Sequence, residues 1–131
     1  MNINTNTHWA LYAMIDLARA TETHPVNVST IAQRHGLPET ALAKVFQRLA
    51  WARLVVGTRG AHGGYRLARP ANEITVLDIV SAFESMPVEE KDERSLEGFL
   101  RMVEDQVRET FATVTIQNLA ATDLSHGESQ L

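Results

Sequence analysis

The feature that most constrains this sequence is residues 37–67, where a helical pattern runs directly into two short strand-like segments. Within residues 39–51 the apolar side chains recur at the spacing i, i+3, i+4 and i+7, which places them on one stripe of a helix. They are Leu42, Val45, Phe46 and Leu49. Residues 54–56 and 65–67 are β-prone, and the four glycines between them suit the positive φ angles of a tight turn. The segment therefore predicts a helix followed by a β-hairpin.

A second helix is predicted immediately before this segment. Asn27 suits the N-cap of a helix over residues 28–35, Gly36 suits the position after its end, and Pro38 suits the first turn of the next helix. Two short helices joined by such a turn form a helix-turn-helix. The hairpin completes a winged helix-turn-helix, in which the second helix fits the major groove of DNA and a wing-tip arginine reaches the adjacent minor groove.

The remaining elements are predicted to be helical, so the fold class is mainly α with a two-stranded β wing. A helix over residues 8–20 has apolar side chains on two faces, which indicates burial on both sides. The helix after the wing has Thr75 as its N-cap, and its inward stripe is predicted to be Leu77, Val80 and Phe83. Arg53 stands where a glycine would ordinarily end the second helix of the motif, so a different cap is expected there.

These elements predict four regions along the chain. The first is a winged helix-turn-helix DNA-binding domain over residues 1–85, with the helix-turn-helix at about 28–51 and the wing at about 54–69. An acidic loop follows over residues 86–95. A long C-terminal dimerisation helix and a final short helix span 96–122, and residues 123–131 form a disordered tail.

Charge is divided unevenly between the two halves of the chain, although the net charge is only −4. Residues 1–70 hold eight Lys and Arg and three Asp and Glu, a balance of +5, whereas residues 71–131 hold four and thirteen, a balance of −9. The basic half contains the predicted helix-turn-helix and wing. This asymmetry is typical of a DNA-binding half joined to an acidic assembly half.

Several classes of protein are disfavoured by what the sequence lacks. Zero cysteines leave no disulfide, no thiolate metal site and no cysteine nucleophile. There is no apolar run of some 18 residues and no signal-peptide pattern, so neither a membrane span nor secretion is expected. The predicted location is the cytoplasm.

The predicted DNA contacts lie on the outward face of the second helix and on the wing. Thr40 and Lys44 are near the start of the helix, which usually reaches base edges, whereas Arg48 lies further along and suits a phosphate. On the wing, Arg59 suits a narrow, negatively charged minor groove. The full predicted set is Thr40, Ala41, Lys44, Arg48, Arg59, Gly60, His62, Gly63 and Gly64.

The long helix that begins at residue 96 predicts a homodimer. It follows a polar loop and still carries an apolar stripe, which requires a partner surface. The stripe consists of Phe99, Leu100, Val103, Val107 and Phe111. A second copy is the favoured partner because helix-turn-helix dimers bind two half-sites; the intramolecular alternative is packing against the first helix.

Several stretches resemble the Rrf-two (Rrf2) family of bacterial regulators, which includes the iron–sulfur cluster regulator and the nitric-oxide-sensing repressors. The most specific are RGAHGGYRLARP at residues 59–70 and EITVLDIV at residues 73–80, with further matches at residues 9–18 and 115–119. The resemblance covers roughly residues 8–122. It implies a homodimeric transcription factor, typically a repressor, in which the helix around Lys44 reads the major groove and Arg59 enters the minor groove.

The sequence departs from this family where many members bind an iron–sulfur cluster through three cysteines before the long helix. Here that loop, residues 86–95, is short, acidic and without cysteine. Because clusters are held mainly by thiolates, no cofactor is predicted. A variant whose ligands were replaced by serine, at Ser85 or Ser95, stays open as an explanation. Ala41 replaces a bulkier residue common in the family, so the DNA target need not be the usual one.

The histidines show no metal-site spacing, and one candidate effector pocket remains. His8 stands where some relatives place a non-cysteine cluster ligand, but it is expected to cap or pack at the first helix. His8, Trp9 and Tyr12 are the candidate residues for a pocket that takes an unknown small molecule. The alternative is that Trp9 belongs to the core or to a dimer contact. His62 is expected to face DNA or solvent.

Two classes of function remain, and neither is enzymatic, because no catalytic constellation is recognisable. The glycines at residues 60–64 lie between two strands and lack the helix that a phosphate loop requires. The preferred class is a sequence-specific DNA-binding regulator; the alternative is a winged-helix protein-interaction module that has lost DNA reading. The basic residues that favour the first class are Lys44, Arg48, Arg59 and Arg66. The operator, the effector and the sign of regulation are not determined by the sequence.

Overall fold

The structure, a computed structural model, describes residues 3–20, 24–84 and 95–122. In chain order its elements are α1 (Thr5–Arg19), α2 (Val28–His35), α3 (Glu39–Trp51), β1 (Val55–Thr58), β2 (Gly64–Leu67), a short 3-10 turn (Ala71–Glu73), α4 (Val76–Phe83), α5 (Leu96–Thr113) and α6 (Ile116–Ala121). The two strands form one antiparallel sheet. The predicted fold class, mainly α with a two-stranded wing, is confirmed.

Helix α1 lies at the centre of the fold and begins earlier than the sequence pattern predicts. It starts at Thr5, because the Asn4 side chain accepts a hydrogen bond of 2.9 Å from the Thr7 backbone N–H and so caps the helix. Thr7, in the first turn of α1, is fully buried. The helix packs against α3, α4, α6 and β2. The prediction that α1 is covered on more than one side is therefore confirmed.

The helix-turn-helix forms where its capping residues predict it. The Asn27 side chain accepts a hydrogen bond of 2.7 Å from the Ser29 N–H at the start of α2. Gly36 ends α2 with φ 66°, the left-handed conformation that glycine adopts without a Cβ clash. Pro38 is the N-cap of α3, one position before the predicted first turn. These three residues fix the angle at which α3 leaves α2.

The end of α3 shows which cap replaces the missing glycine. Arg53 itself takes the left-handed conformation, with φ 62°. Its N–H donates to Ala50 O at 3.0 Å, and the Leu54 N–H donates to Leu49 O at 3.0 Å, which is the Schellman pattern. Leu54 is then buried. An arginine thus occupies a position where a side chain costs free energy.

The wing is anchored to the rest of the fold through Tyr65 of β2, by its ring and by its backbone. Phe46 of α3 stacks on Tyr65 of β2, with ring centroids 4.6 Å apart. The backbones of Tyr65 and Val26 exchange two hydrogen bonds of 2.8 Å, which adds a third, single-residue rung beside the hairpin. Gly64 permits this approach, because a Cβ there would lie 2.3 Å from Val26 O. The wing is therefore part of the same core as the helix-turn-helix.

One buried stripe differs from its prediction. On α4, Val76, Ile79 and Val80 are buried, whereas Leu77 and Phe83 are only half-buried, so the predicted stripe was right for Val80 alone. The Val76 N–H donates to Val114 O at 2.8 Å, which turns the first residue of α4 inward. The predicted N-cap is confirmed: Thr75 forms a capping box with Asp78.

Helix α6 packs against α1 and the 3-10 turn, although the sequence grouped it with the dimerisation helix. Thr75 and Thr115 form an antiparallel bridge, and Ile116, fully buried, joins the main core. Arg19 donates from Nε to Ala120 O at 2.9 Å and so ties α1 to the last helix. The predicted acidic loop, apart from Ser95, and the predicted disordered tail lie outside the described residues.

Candidate nucleic-acid interface

The outward face of α3 is a continuous stripe of exposed side chains. Thr40, Lys44, Gln47 and Trp51 recur at i, i+4, i+7 and i+11, on the side opposite the buried Leu42, Val45, Phe46 and Leu49. A helix of 13 residues is about 20 Å long and fits the major groove, which is roughly 12 Å wide. Gln47 and Trp51 are not in the predicted set of DNA contacts, although helical spacing places them on the same face as Thr40 and Lys44.

Arg48 has an intramolecular role that the sequence did not predict. Its Nε donates to Ala82 O at 2.7 Å, and its guanidinium lies 5.8 Å from the centre of the Phe83 ring. Ala82 lies in the last turn of α4, where backbone carbonyls lack helical partners and a cation is favourable. Arg48 therefore ties α3 to α4, and this contact positions the guanidinium that was predicted to meet a phosphate.

At the wing tip, the predicted residues divide into outward side chains and glycines that the turn requires. Arg59 and His62 are exposed. Gly60 has φ 112°, and its carbonyl accepts from the Gly63 N–H at 2.9 Å. A Cβ on Gly63 would lie 2.3 Å from Thr58 O, so no other residue fits there. Gly63 and Gly64 are therefore required by the backbone geometry of the wing. Arg59 is the exposed cation at the wing tip that can contact DNA.

The winged segment is strongly basic. Residues 27–69 contain seven Lys and Arg and one acid, Glu39, a balance of +6. Arg34 pairs with Asp16 at 3.0 Å and Arg69 pairs with Asp78 at 3.0 Å, whereas within the described ranges Lys44 and Arg59 have no ion pair. Lys44 on α3 and Arg59 on the wing are therefore exposed cations on the predicted DNA surface, without an ion pair to any described residue. Ala41, the remaining predicted contact, is half-buried at the flank of α3.

The three predicted effector residues have different surroundings in the described structure. His8 is exposed, and Trp9 is half-buried against the core. Tyr12 stacks on His35 with ring centroids 5.1 Å apart, and His35 Nε2 lies 2.9 Å from Asp16 Oδ2. Tyr12 is therefore held in a cluster between α1 and α2. A cleft of about 450 Å³ beyond this cluster is lined by Asp16, Arg19, Ala20, Pro25, Val26, Asn27, Thr30 and Arg34.

Helix α5 leaves much of its apolar side uncovered. Among the predicted dimer contacts, Phe99, Leu100 and Val103 are 57%, 50% and 47% exposed, while Val107 and Phe111 are half-buried. Leu96 and Met102 are also exposed, at 68% and 57%. These last two residues lie outside the predicted dimer stripe. Most of the large exposed apolar side chains of the described chain thus lie along one helix.

The residues present do not suit a resident metal cluster. The chain has no cysteine, and within residues 3–20, 24–84 and 95–122 no three His, Asp or Glu side chains are grouped closely enough to hold a metal ion. Iron–sulfur clusters depend on thiolate ligands, and this chain cannot supply them. In the same ranges no helix has the length and apolar character needed to cross a membrane.

Comparison with known proteins agrees with this geometry. The family model Rrf2, described as an iron-dependent transcriptional regulator, matches residues 3–122. The chain is similar to protein rrf2 of Nitratidesulfovibrio vulgaris, with 38% identity over 91 residues, which are 68% of this chain and 61% of that protein. It is 34% identical over 125 residues to the HTH-type transcriptional regulator CymR of Bacillus subtilis, covering 92% of this chain and 91% of CymR.

A solved structure has nearly the same fold. The structure of CymR, described as the global cysteine regulator of B. subtilis, matches with a TM-score of 0.83 and 33% sequence identity. The match covers 94% of this chain and 99% of the CymR chain. This chain therefore spans less than two thirds of the N. vulgaris relative and almost all of CymR.

Proposed function

This chain belongs to the Rrf2 family of transcriptional regulators, and on that premise we propose that it is a homodimeric repressor that binds specific sites in double-stranded DNA. The observation that carries the proposal is the exposed stripe of α3 in a segment with a balance of +6. A basic helix face beside a basic wing matches the charge and width of the major groove. A DNA regulator of this kind works in the cytoplasm and needs no catalytic activity.

Lys44 and Thr40 are assigned to base reading. They lie in the first half of α3, which in helix-turn-helix proteins enters the groove and reaches base edges. Ammonium and hydroxyl groups bond the acceptors that guanine and adenine present there. Gln47, one turn beyond Lys44 on the same stripe, adds an amide of the type that pairs with adenine.

Arg59 is assigned to the minor groove. It is exposed at the tip of a hairpin that the Phe46–Tyr65 stack and the Val26–Tyr65 bridge hold against the core. A guanidinium on such a support favours a narrow, negative groove and reports its shape more than its sequence. Arg48 supports the surface by joining α3 to α4, and any phosphate contact it makes comes from the same anchored position.

The dimer is proposed to form through α5. Three of its apolar residues, Phe99, Leu100 and Val103, remain about half exposed in one protomer, and a second α5 is the surface that would cover them. Two copies would present two α3 helices to half-sites about 34–36 Å apart, one turn of DNA. A symmetric operator follows from this arrangement.

Regulation by an iron–sulfur cluster is not part of the proposal, although the family description names iron. Without thiolates, the ligands would have to be His or carboxylate groups, which only replace some of the cysteines in such sites. Anaerobic incubation with iron and sulfide should therefore produce no stable visible absorbance and no change in DNA affinity. A stoichiometric cluster after desalting would contradict this part of the proposal.

The roles of helix and wing are tested by Lys44→Ala and Arg59→Ala. Each variant is titrated at several salt concentrations against a duplex enriched from a random library by the wild-type protein, and against a scrambled duplex. Lys44→Ala should cost roughly 1–3 kcal/mol on the enriched duplex and relax discrimination at one or two base pairs. Arg59→Ala should weaken binding to both duplexes and make the salt slope shallower by about one phosphate.

The matched control is Gln117→Ala, an exposed position on α6, away from α3 and the wing, which should bind as wild type does. If Arg59→Ala loses only the enriched duplex and Lys44→Ala weakens both alike, the two roles are reversed. If the wild-type protein enriches no duplex from the library and does not bind the scrambled duplex at any salt concentration, the chain is better described as a winged-helix protein-interaction module.

A further inference from the structure

Trp51 is the most exposed large apolar side chain among the described residues, at 91%. It occupies the last position of α3, and neither the family resemblance nor the predicted contacts give it a role. We propose that Trp51 packs against the sugar–phosphate strand that borders the major groove and adds a sequence-independent contact to the DNA complex. The proposal rests on the proposed function, because it assigns one more residue to the same interface.

Trp51 lies on the same exposed stripe of α3 as Thr40 and Lys44, the residues assigned to base reading. It lies eleven residues beyond Thr40 and seven beyond Lys44, within the same narrow sector of the helix surface. At 1.5 Å per residue, its Cα is about 10 Å further along the axis than that of Lys44. When the central turns of α3 lie in a major groove about 12 Å wide, a side chain at the end of α3 lies next to the DNA backbone at the edge of the groove.

Within the residues that the structure describes, no packing of the fold accounts for the position of the Trp51 side chain. The apolar face of α3 is complete without it, since Leu42, Val45, Phe46 and Leu49 are all buried. Directly after Trp51 the left-handed Arg53 turns the chain into β1 and buries Leu54, but the indole stays outside. Across the described parts of the chain, the other large exposed apolar residues are Val56 on β1 and five residues of α5. Trp51 is therefore separate from the surface assigned to the second protomer.

The surroundings of Trp51 favour a polyanion over an apolar protein partner. Arg48 and Arg53 flank it in sequence, and both are exposed cations. Protein-binding surfaces of the apolar type are contiguous patches, whereas this ring stands among charges. The indole has one N–H donor and no acceptor, which matches phosphate oxygens, and its apolar face matches deoxyribose. A neutral contact of this kind adds affinity without reading a base.

Tryptophan fluorescence tests the contact directly, because the chain has only two tryptophans. In the full-length Trp9→Phe variant, Trp51 is the single reporter, and acrylamide should quench it efficiently in the free protein. Saturation with the library-enriched duplex should lower the quenching constant at least about threefold, because the ring becomes covered. In the matched Trp51→Phe variant, the half-buried Trp9 reports, and its quenching should not change on DNA binding.

Binding by Trp51→Ala gives the second measurement. Affinity should fall about tenfold on the enriched and the scrambled duplex alike, the loss of one good contact. The salt slope should stay at the wild-type value, because no charge is removed. This result differs from that of Arg59→Ala, whose salt slope falls. If Trp51→Ala does not fold, the change in acrylamide quenching of the Trp9→Phe protein on DNA binding still tests whether DNA covers Trp51.

Failure of this inference can be told apart from failure of the proposed function. If the Trp9→Phe protein binds the enriched duplex while acrylamide quenches Trp51 equally with and without DNA, the inference alone is overturned. Unchanged affinity of a folded Trp51→Ala variant does the same and leaves DNA binding by α3 and the wing intact. A wild-type protein that binds no duplex overturns both.

Discussion

Helices α3 and α5 have the same kind of sequence and different surroundings. Both are amphipathic, with apolar residues at helical spacing and a charged opposite side. On α3 the apolar face is buried: Phe46 is 0% exposed and stacks on Tyr65. On α5 the equivalent face is open, with Phe99 57% exposed. The polar side of α3 and the apolar side of α5 are therefore the surfaces that remain available to a partner.

The difference follows from what the chain places next to each helix. Helix α3 is enclosed by α1, α2, α4 and β1, so its apolar side chains lose their contact with water within one protomer. Helix α5 packs mainly against α4, which is only eight residues long and cannot cover an 18-residue helix. The partner classes differ accordingly: a polyanion for α3 and a second apolar surface for α5.

The largest expected effect comes from making the same substitution on both helices. Phe46→Ala should lower the free energy of unfolding by about 3–5 kcal/mol, because it opens a cavity in a packed core. Phe99→Ala should change the stability of the protomer by no more than about 0.5 kcal/mol, and weaken dimerisation instead. Chemical denaturation, with light scattering at several protein concentrations, separates the two outcomes. Similar losses of protomer stability would contradict the contrast between the helices.

The next effect concerns the uncovered face of α5. Leu100→Glu combined with Val103→Glu should give monomers by light scattering, since covering the exposed half of each side chain contributes about 0.7–1.5 kcal/mol to an interface, and a carboxylate in its place would be buried at a cost. DNA affinity should fall with it, because half of the operator contacts are lost. Ala112→Glu, an exposed position on the opposite side of α5, should remain dimeric. A double variant that stays dimeric would place the dimer contact elsewhere.

The smallest effect concerns the ends of the two helices. Helix α5 is followed by Val114 in extended backbone, whereas two residues after the end of α3 Arg53 takes φ 62°. Arg53→Gly should raise the free energy of unfolding by about 0.5–1 kcal/mol, because glycine adopts this conformation without a Cβ clash. Arg53→Ala, the control, keeps the clash and should bring no such gain. A gain from alanine equal to that from glycine would mean that the arginine side chain, and not the backbone, carries the cost.

Much of the fold follows from local pattern and capping chemistry. The buried residues of α3 are the four that helical spacing predicts. Asn27 and Thr75 begin helices, and Gly36 ends one, at the positions that their residue types predict. Of the wing glycines, Gly60 and Gly64 take the positive φ angles that the sequence predicts for the turn, whereas Gly63 is required by close backbone contact. These features depend on a few neighbouring residues, so the sequence contains the information directly.

Only the tertiary structure decided the features that join distant parts of the chain. The sequence determined the helix-turn-helix, the wing, the basic half and the absence of thiolate ligands, because each is a matter of residue type and spacing. It did not reveal that Arg48 binds the end of α4, that Gly64 admits Val26, or that α6 buries Ile116 beside α1. Each of these contacts joins residues more than thirty positions apart, and no local periodicity reports which surfaces meet. Burial depends on the element that packs opposite, and for that reason α3 and α5, alike in pattern, differ in what they leave exposed.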